Sequence, residues 1–117
     1  MNIILKGTHL DLTPSLRIYI NKKLGPLANL IKKIDAAGSA EFEVEVARTT
    51  THHHKGPIFR AEAHLRLPKK TFYVAEEEYD IRAAIDIVKT RLRQTLERYK
   101  EKELTPKGKA RRAIRKK

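Results

Sequence analysis

A chain of 117 residues holds one domain with a modest core, and it carries 26 Lys/Arg against 14 Asp/Glu, a net charge of +12. It has no cysteine, which excludes a disulfide scaffold and a cysteine-based metal site, and no apolar window is long enough to span a membrane. The excess is uneven: residues 79–117 hold fourteen Lys/Arg against five Asp/Glu, and residues 1–78 hold twelve against nine. Such asymmetry draws a polyanion to one side of the molecule, nucleic acid first and an acidic membrane surface second.

The opening residues are too short an apolar run for a signal peptide. Asn2 to Leu10 reads as a strand, with Ile3, Leu5 and Gly7 opposed to Ile4 and Lys6. Thr13 suits a helix N-cap and Pro14 the first helical position, where its missing N–H costs nothing. The helix continues through Leu16, Ile20, Leu24, Leu27, Ile31 and Ile34 at three/four spacing. Gly25-Pro26 interrupts it, which predicts a kink or brief break near residues 22–26. Ala37-Gly38-Ser39 ends it, with Gly38 suited to a left-handed residue.

Ala40 to Ala47 reads as a strand with Phe42, Val44 and Val46 inside and Glu41, Glu43 and Glu45 outside. Residues 48–57 form a polar hairpin loop. Ile58 to Leu67 is the next strand: Phe59, Ala61, Ala63, Leu65 and Leu67 point inward, and Arg60, Glu62, His64 and Arg66 point out. Charges on these outer faces are placed to pair across the ladder. After the turn Pro68-Lys69-Lys70, Thr71 to Ala75 is a short fourth strand. Glu76-Glu77-Glu78 then precedes a long helix, where acidity complements the helix dipole.

That helix, Tyr79 to Lys102, has an apolar stripe of Ile81, Ile85, Val88, Leu92, Leu96 and Tyr99. At about 100° per residue, Arg82, Lys89, Arg93 and Lys100 share one shoulder of the stripe. Arg91, Arg98 and Lys102 share the other, and Asp86, Thr90, Gln94, Glu97 and Glu101 take the outermost arc. Residues 1–104 are read as one RNA-binding domain and 105–117 as a basic flexible tail. Three strands joined by short turns make a meander, and the first strand reaches them through a helical crossover that suits parallel pairing. The expectation is an α+β fold, β-α-β-β-β-α, with a four-stranded mixed sheet and two helices packed on one face.

No glycine-rich phosphate loop, nucleophile elbow or HExxH is present, so no enzyme is expected, and no cofactor. His52-His53-His54 do not converge well on one ion and read as a polar hairpin tip rather than a metal site. Aromatic residues for base stacking are few: Tyr19, Tyr73, Tyr79 and Tyr99 at most. This points to recognition of backbone and shape rather than of sequence.

Several stretches in order carry a resemblance. They are the Asn2-Ile3 strand with His9-Leu10-Asp11-Leu12-Thr13-Pro14-Ser15-Leu16, the His54-Lys55-Gly56 hairpin, and Asp80-Ile81-Arg82-Ala83-Ala84-Ile85-Asp86. The tail Lys107-Gly108-Lys109-Ala110-Arg111-Arg112 is the last. Over nearly its whole length the chain resembles the ribosome hibernation promoting factor family, also called ribosome-associated inhibitor A or YfiA-like. The resemblance implies a β-α-β-β-β-α fold that occupies the mRNA/tRNA decoding region of the small ribosomal subunit. It implies translation inhibition in the cytoplasm under stress, through the subunit and its ribosomal RNA, with no DNA and no membrane partner.

RNA contacts are implied for Arg17, Lys22 and Lys23 on the first helix and Lys89, Arg91, Arg93, Arg98, Lys100 and Lys102 on the second. Lys107, Lys109, Arg111 and Arg112 extend the track. Arg82 stands where the family usually has Tyr, which replaces a packing or stacking contact with a phosphate contact. The chain looks like the short form, a monomer off the ribosome. The residues alone leave open a general structured-RNA-binding module not directed at the decoding centre.

Overall fold

The computed structural model describes residues 3–49 and 58–103. The element order is β1 (Ile3–Thr8), α1 (Pro14–Leu24), α2 (Leu27–Ile34), β2 (Glu41–Arg48), β3 (Phe59–Arg66), β4 (Thr71–Glu78) and α3 (Ile81–Glu103). Thr13 is extended, and its Oγ1 accepts the Leu16 N–H at 3.2 Å, so α1 starts as expected.

The crossover is two helices rather than one. Gly25 and Pro26 keep right-handed helical dihedrals, and the Gly25 N–H still reaches the Asn21 carbonyl at 2.8 Å. Proline has no N–H to donate, and the next bonds shorten to three-residue spacing: Ala28 N–H to Gly25 O and Asn29 N–H to Pro26 O. The approach is close enough that a Cβ on residue 25 would stand 2.4 Å from the Asn21 carbonyl oxygen. Gly38 takes φ 76 after the end of α2, where the left-handed region excludes most side chains.

The sheet order is β1-β2-β3-β4. β1 runs parallel to β2 with Ile3 opposite Phe42, and the β2–β3 and β3–β4 pairs are antiparallel. One sheet face carries Phe42, Val44, Val46, Ala61, Ala63, Leu65, Phe72 and Val74. It packs against Leu16, Ile20 and Leu24 of α1, Leu27 and Ile31 of α2, and Ala84, Ile85, Val88, Leu92 and Leu96 of α3. α3 lies over β3 and β4, with α1 and α2 along its side. The small Ala61 and Ala63 leave room for α3 to approach. Among the described residues no polar or charged side chain is buried, so every charge on the helices meets solvent.

Two expectations are corrected. β4 runs on to Glu78, and Glu76, Glu77 and Glu78 stand opposite Ala61, Arg60 and Phe59. Ladder pairing holds their backbone in the sheet, and two of the carboxylates are taken up by arginines, Glu77 by Arg60 and Glu76 by Arg91 of α3, both at 3.1 Å. Asp80 serves that terminus instead: its carboxylate accepts the Arg82 N–H at 3.3 Å and its carbonyl the Ala84 N–H at 3.1 Å. Second, cross-strand charge pairing between β2 and β3 is confined to Glu41–Arg66 at 3.8 Å among the described residues. Glu45 and Glu62 stand opposite each other. Each has its own donor: Glu45 accepts the Thr8 hydroxyl at 2.7 Å and Glu62 accepts Arg60 Nε at 2.7 Å.

The Thr49 N–H meets the Ile58 carbonyl at 2.7 Å and closes the β2–β3 ladder. The expected hairpin tip with His52, His53 and His54 lies outside the described residues, as do residue 104 and the tail 105–117.

Candidate nucleic-acid interface

The fold separates charge by layer. The three helices contain twelve Lys/Arg against four Asp/Glu, and the four strands contain four against seven. Because the helices cover one face of the sheet, the positive field lies on the helical side, while the outer sheet face, with Glu41, Glu43, Glu45, Glu62 and Glu77 against Lys6, Arg60 and Arg66, is weakly acidic.

On α3, Arg82, Lys89, Arg93 and Lys100 do fall on one shoulder, and that shoulder faces α1 and α2. Its two ends show this. An Arg82 guanidinium N–H donates to Ser15 Oγ at 3.0 Å, and Lys100 lines a groove with Leu30 and Lys33. Lys89, Arg93 and Lys100 have no ion pair among the described residues, so their ammonium and guanidinium groups are available to an anion. Arg91 sits on the opposite shoulder. It donates to the Ala75 carbonyl and to Glu76 Oε1, both at 3.1 Å, and so covers the open edge of β4. Arg98 and Lys102 are exposed on that same shoulder. On α1, Lys23 faces α3, Lys22 is exposed to solvent, and Arg17 turns back to donate to the Leu12 carbonyl at 3.3 Å. Lys107, Lys109, Arg111 and Arg112 lie outside the described residues.

A polar cluster joins α1 to α3. The Tyr19 hydroxyl donates to Asp86 Oδ1 at 2.6 Å. Lys23 Nζ lies 3.9 Å from the same oxygen and 5.6 Å from the Tyr19 ring centre, while the Arg82 guanidinium lies 5.1 Å from that ring. Desolvation, then the hydrogen bond to Asp86 and its negative charge, push the Tyr19 phenol up to about 12, so it remains a donor at neutral pH. Asp86, expected on the outermost arc, is therefore half-buried at the seam, because α1 lies against that side and supplies a donor. Arg82 keeps a stacking role on Tyr19 as well as an exposed charge.

The other tyrosines divide by layer. Tyr99 packs edge-on against Phe72 at 5.3 Å. Tyr73 lies on the outer sheet face, where it bonds Arg60 and Glu62 and packs on His64 at 4.6 Å. Tyr79 is 68% exposed beside the start of α3. On the outer face, burial pushes the Glu62 carboxyl up. Hydrogen bonds from Arg60, His64 and Tyr73 outweigh it and hold the group below the usual range.

Lys32 and Lys33 were absent from the sequence-based set. Lys33 faces Lys100 across the groove between α2 and α3, which is also lined by Leu30, Glu97 and Glu101. Both lysines were visible as a charge pair closing a helix. What hid the placement of Lys33 was the turn at Gly25-Pro26, which decides which face of α2 meets α3. Among the described residues no cluster of His, Asp or Glu is placed to hold a metal ion, and no helix is long and apolar enough to cross a membrane.

Residues 3–103 match a family model described as sigma 54 modulation protein / S30EA ribosomal protein. Among solved structures, the chain is similar to the Thermus thermophilus Protein Y N-terminal domain. They share 34% identity over 85% of this chain and 99% of that one, with a TM-score of 0.58. A ribosomal subunit interface protein from Coxiella burnetii has the same fold at 22% identity. It covers 86% of this chain and 98% of that one, with a TM-score of 0.62. Comparison with curated protein sequences returned no match.

Proposed function

Because the chain belongs to the sigma 54 modulation protein / S30EA ribosomal protein family, a ribosome-associated family, we propose that it silences idle ribosomes. In this reading it occupies the decoding region of the small subunit and excludes messenger and transfer RNA. The family's description as a ribosomal protein supports a ribosomal partner. The observation that carries it is the separation of charge by layer, with the helices basic and the outer sheet face weakly acidic.

The mechanism is steric and electrostatic. The sheet holds α1, α2 and α3 side by side, and their cations meet ribosomal RNA phosphates. Each phosphate contact releases condensed counterions, so affinity comes from many weak contacts and falls with salt. Lys89, Arg93 and Lys100 are the central contacts, because no ion pair among the described residues occupies them. Arg82, Lys22, Lys23 and Lys33 border them. Lys107, Lys109, Arg111 and Arg112 lengthen the track, while Arg17, Arg91, Arg98 and Lys102 contribute at the flanks. No step of this function needs catalysis or a cofactor, and the protein acts as a monomer in the cytoplasm.

The test is co-sedimentation with purified small subunits. Replacing Lys89, Arg93 and Lys100 with Glu abolishes binding while the circular dichroism spectrum is retained. Pre-bound messenger and transfer RNA exclude the wild-type protein. Wild-type binding by the triple variant overturns the cationic track. Undiminished binding beside messenger and transfer RNA makes the protein a structured-RNA binder directed elsewhere.

A further inference from the structure

The groove between α2 and α3 combines three features. Its volume is about 430 Å3, within the about 300–1,000 Å3 of ordinary small-ligand sites. Its apolar wall is Leu30, and its rims carry Lys33 from α2 and Lys100 from α3. It also holds the carboxylates of Glu97 and, one turn on, Glu101.

A carboxylate inside a phosphate-binding strip repels the ligand unless something donates to it. Asp86, nearer the start of α3, has donors in Tyr19 and Lys23. Glu97 has neither a hydrogen bond nor an ion pair among the described residues, although Lys33 and Lys100 share its groove. Glu97 is exposed, so both of its oxygens are open to a ligand's donors, and one class of base matches them best. A guanine base presents two adjacent N–H donors, N1–H and N2–H2, that match the two oxygens of one carboxylate. Adenine, with one amine beside an acceptor, does not match, and uracil offers a single N–H between two carbonyls. Unpaired bases of RNA are the ones whose edges proteins read in this way.

We infer that the α2–α3 groove is a pocket for one unpaired guanine nucleotide of the bound RNA. The base lies against Leu30, its Watson–Crick edge meets Glu97, and its phosphate lies between Lys33 and Lys100. This rests on the ribosomal RNA reading above and gives an otherwise sequence-blind track one point of register.

The test is a titration of the 15N-labelled full chain, in separate arms, with GMP, IMP, AMP, UMP and inorganic phosphate, followed by amide shifts. GMP moves Leu30, Lys33, Glu97 and Lys100, with an affinity at least about fivefold above AMP and UMP, the lower end for a bidentate contact. IMP, which lacks the N2 amine, falls to the AMP level. Glu97→Gln removes the preference for GMP, and Lys100→Gln weakens all four nucleotides alike.

Equal shifts from all nucleotides and from phosphate overturn the pocket, as do shifts centred elsewhere. Small-subunit co-sedimentation separates the two ideas. A protein that prefers GMP but fails to bind subunits retains the pocket and loses the functional reading. One that binds subunits without base preference does the reverse.

Discussion

The Tyr19–Asp86 contact joins α1 to α3, and its removal is the most direct check on how the cationic helices are held together. Replacing Tyr19 with Phe removes the hydroxyl that donates to Asp86 at 2.6 Å and leaves Lys23 as the remaining cation near that carboxylate. A hydrogen bond to a charged acceptor contributes about 1.5–3 kcal/mol when sheltered. The Asp86 side chain is 47% exposed, so solvent competes and about 1 kcal/mol is expected. Asp86→Asn costs a similar amount, since the amide is a weaker acceptor and Lys23 loses its counter-charge.

The double variant then costs less than the sum of the singles, with a coupling of about 0.5–1 kcal/mol. Urea unfolding followed by circular dichroism measures all three. The pH dependence supplies an independent sign. The Tyr19 phenol titrates near 10.0 when unfolded and about 12 when folded. Its raised value means that its contribution is complete below pH 10 and lost as pH rises toward 12. Tyr19→Phe therefore shows less alkaline loss of stability than wild type over that window. Strictly additive singles, with alkaline unfolding unchanged in Tyr19→Phe, would refute the Tyr19–Asp86 coupling.

Three further outcomes follow from the same geometry. Glu62→Gln removes the acceptor shared by Arg60, His64 and Tyr73, and it destabilises by about 1–2 kcal/mol at pH 7 in chemical denaturation. Because the folded Glu62 carboxyl lies below its usual 4.5, its contribution is present above that value and disappears as pH falls through the folded value. The variant's deficit should therefore shrink in acid. Arg91→Ala uncovers the β4 edge and costs about 0.5–1 kcal/mol. It should weaken small-subunit binding much less than Lys89→Ala, and equal losses in a sedimentation assay would show that both shoulders of α3 contact RNA. Gly25→Ala places a Cβ 2.4 Å from the Asn21 carbonyl oxygen and should lower stability by about 1–3 kcal/mol. A melting temperature equal to wild type would show that the kink relaxes freely.

Much of the fold was legible because its signals are local. The alternation of Phe42, Val44 and Val46 with glutamates reports one wet and one dry face. The stripe from Ile85 to Leu96 reports a helix lying on something apolar. Thr13-Pro14 marks a helix start by backbone chemistry alone. The parallel pairing of β1 with β2 followed from the length of the crossover. The candidate interface was legible in part for the same reason, since Arg82, Lys89, Arg93 and Lys100 share a shoulder by helical spacing.

What escaped depended on partners distant in sequence. Glu76, Glu77 and Glu78 suit a helix N-terminus as readily as a strand end, and β3 decided between them by offering ladder partners and Arg60. Asp86 lies toward the solvent arc of an isolated α3, and only α1, bringing Tyr19 across, makes that position a seam. Lys33 faces Lys100 because of the size of the turn at Gly25-Pro26, which no local pattern specifies.

By itself, then, the sequence determined which residues are apolar, where each period begins and ends, and how much positive charge the helices carry. The tertiary structure alone decided which shoulder of α3 faces the other helices, which cations are tied internally and which are left for an anion. The physical reason is range: backbone propensity and hydrophobic period act within a few residues. Charge pairing and groove shape depend on groups up to 67 positions apart in the chain.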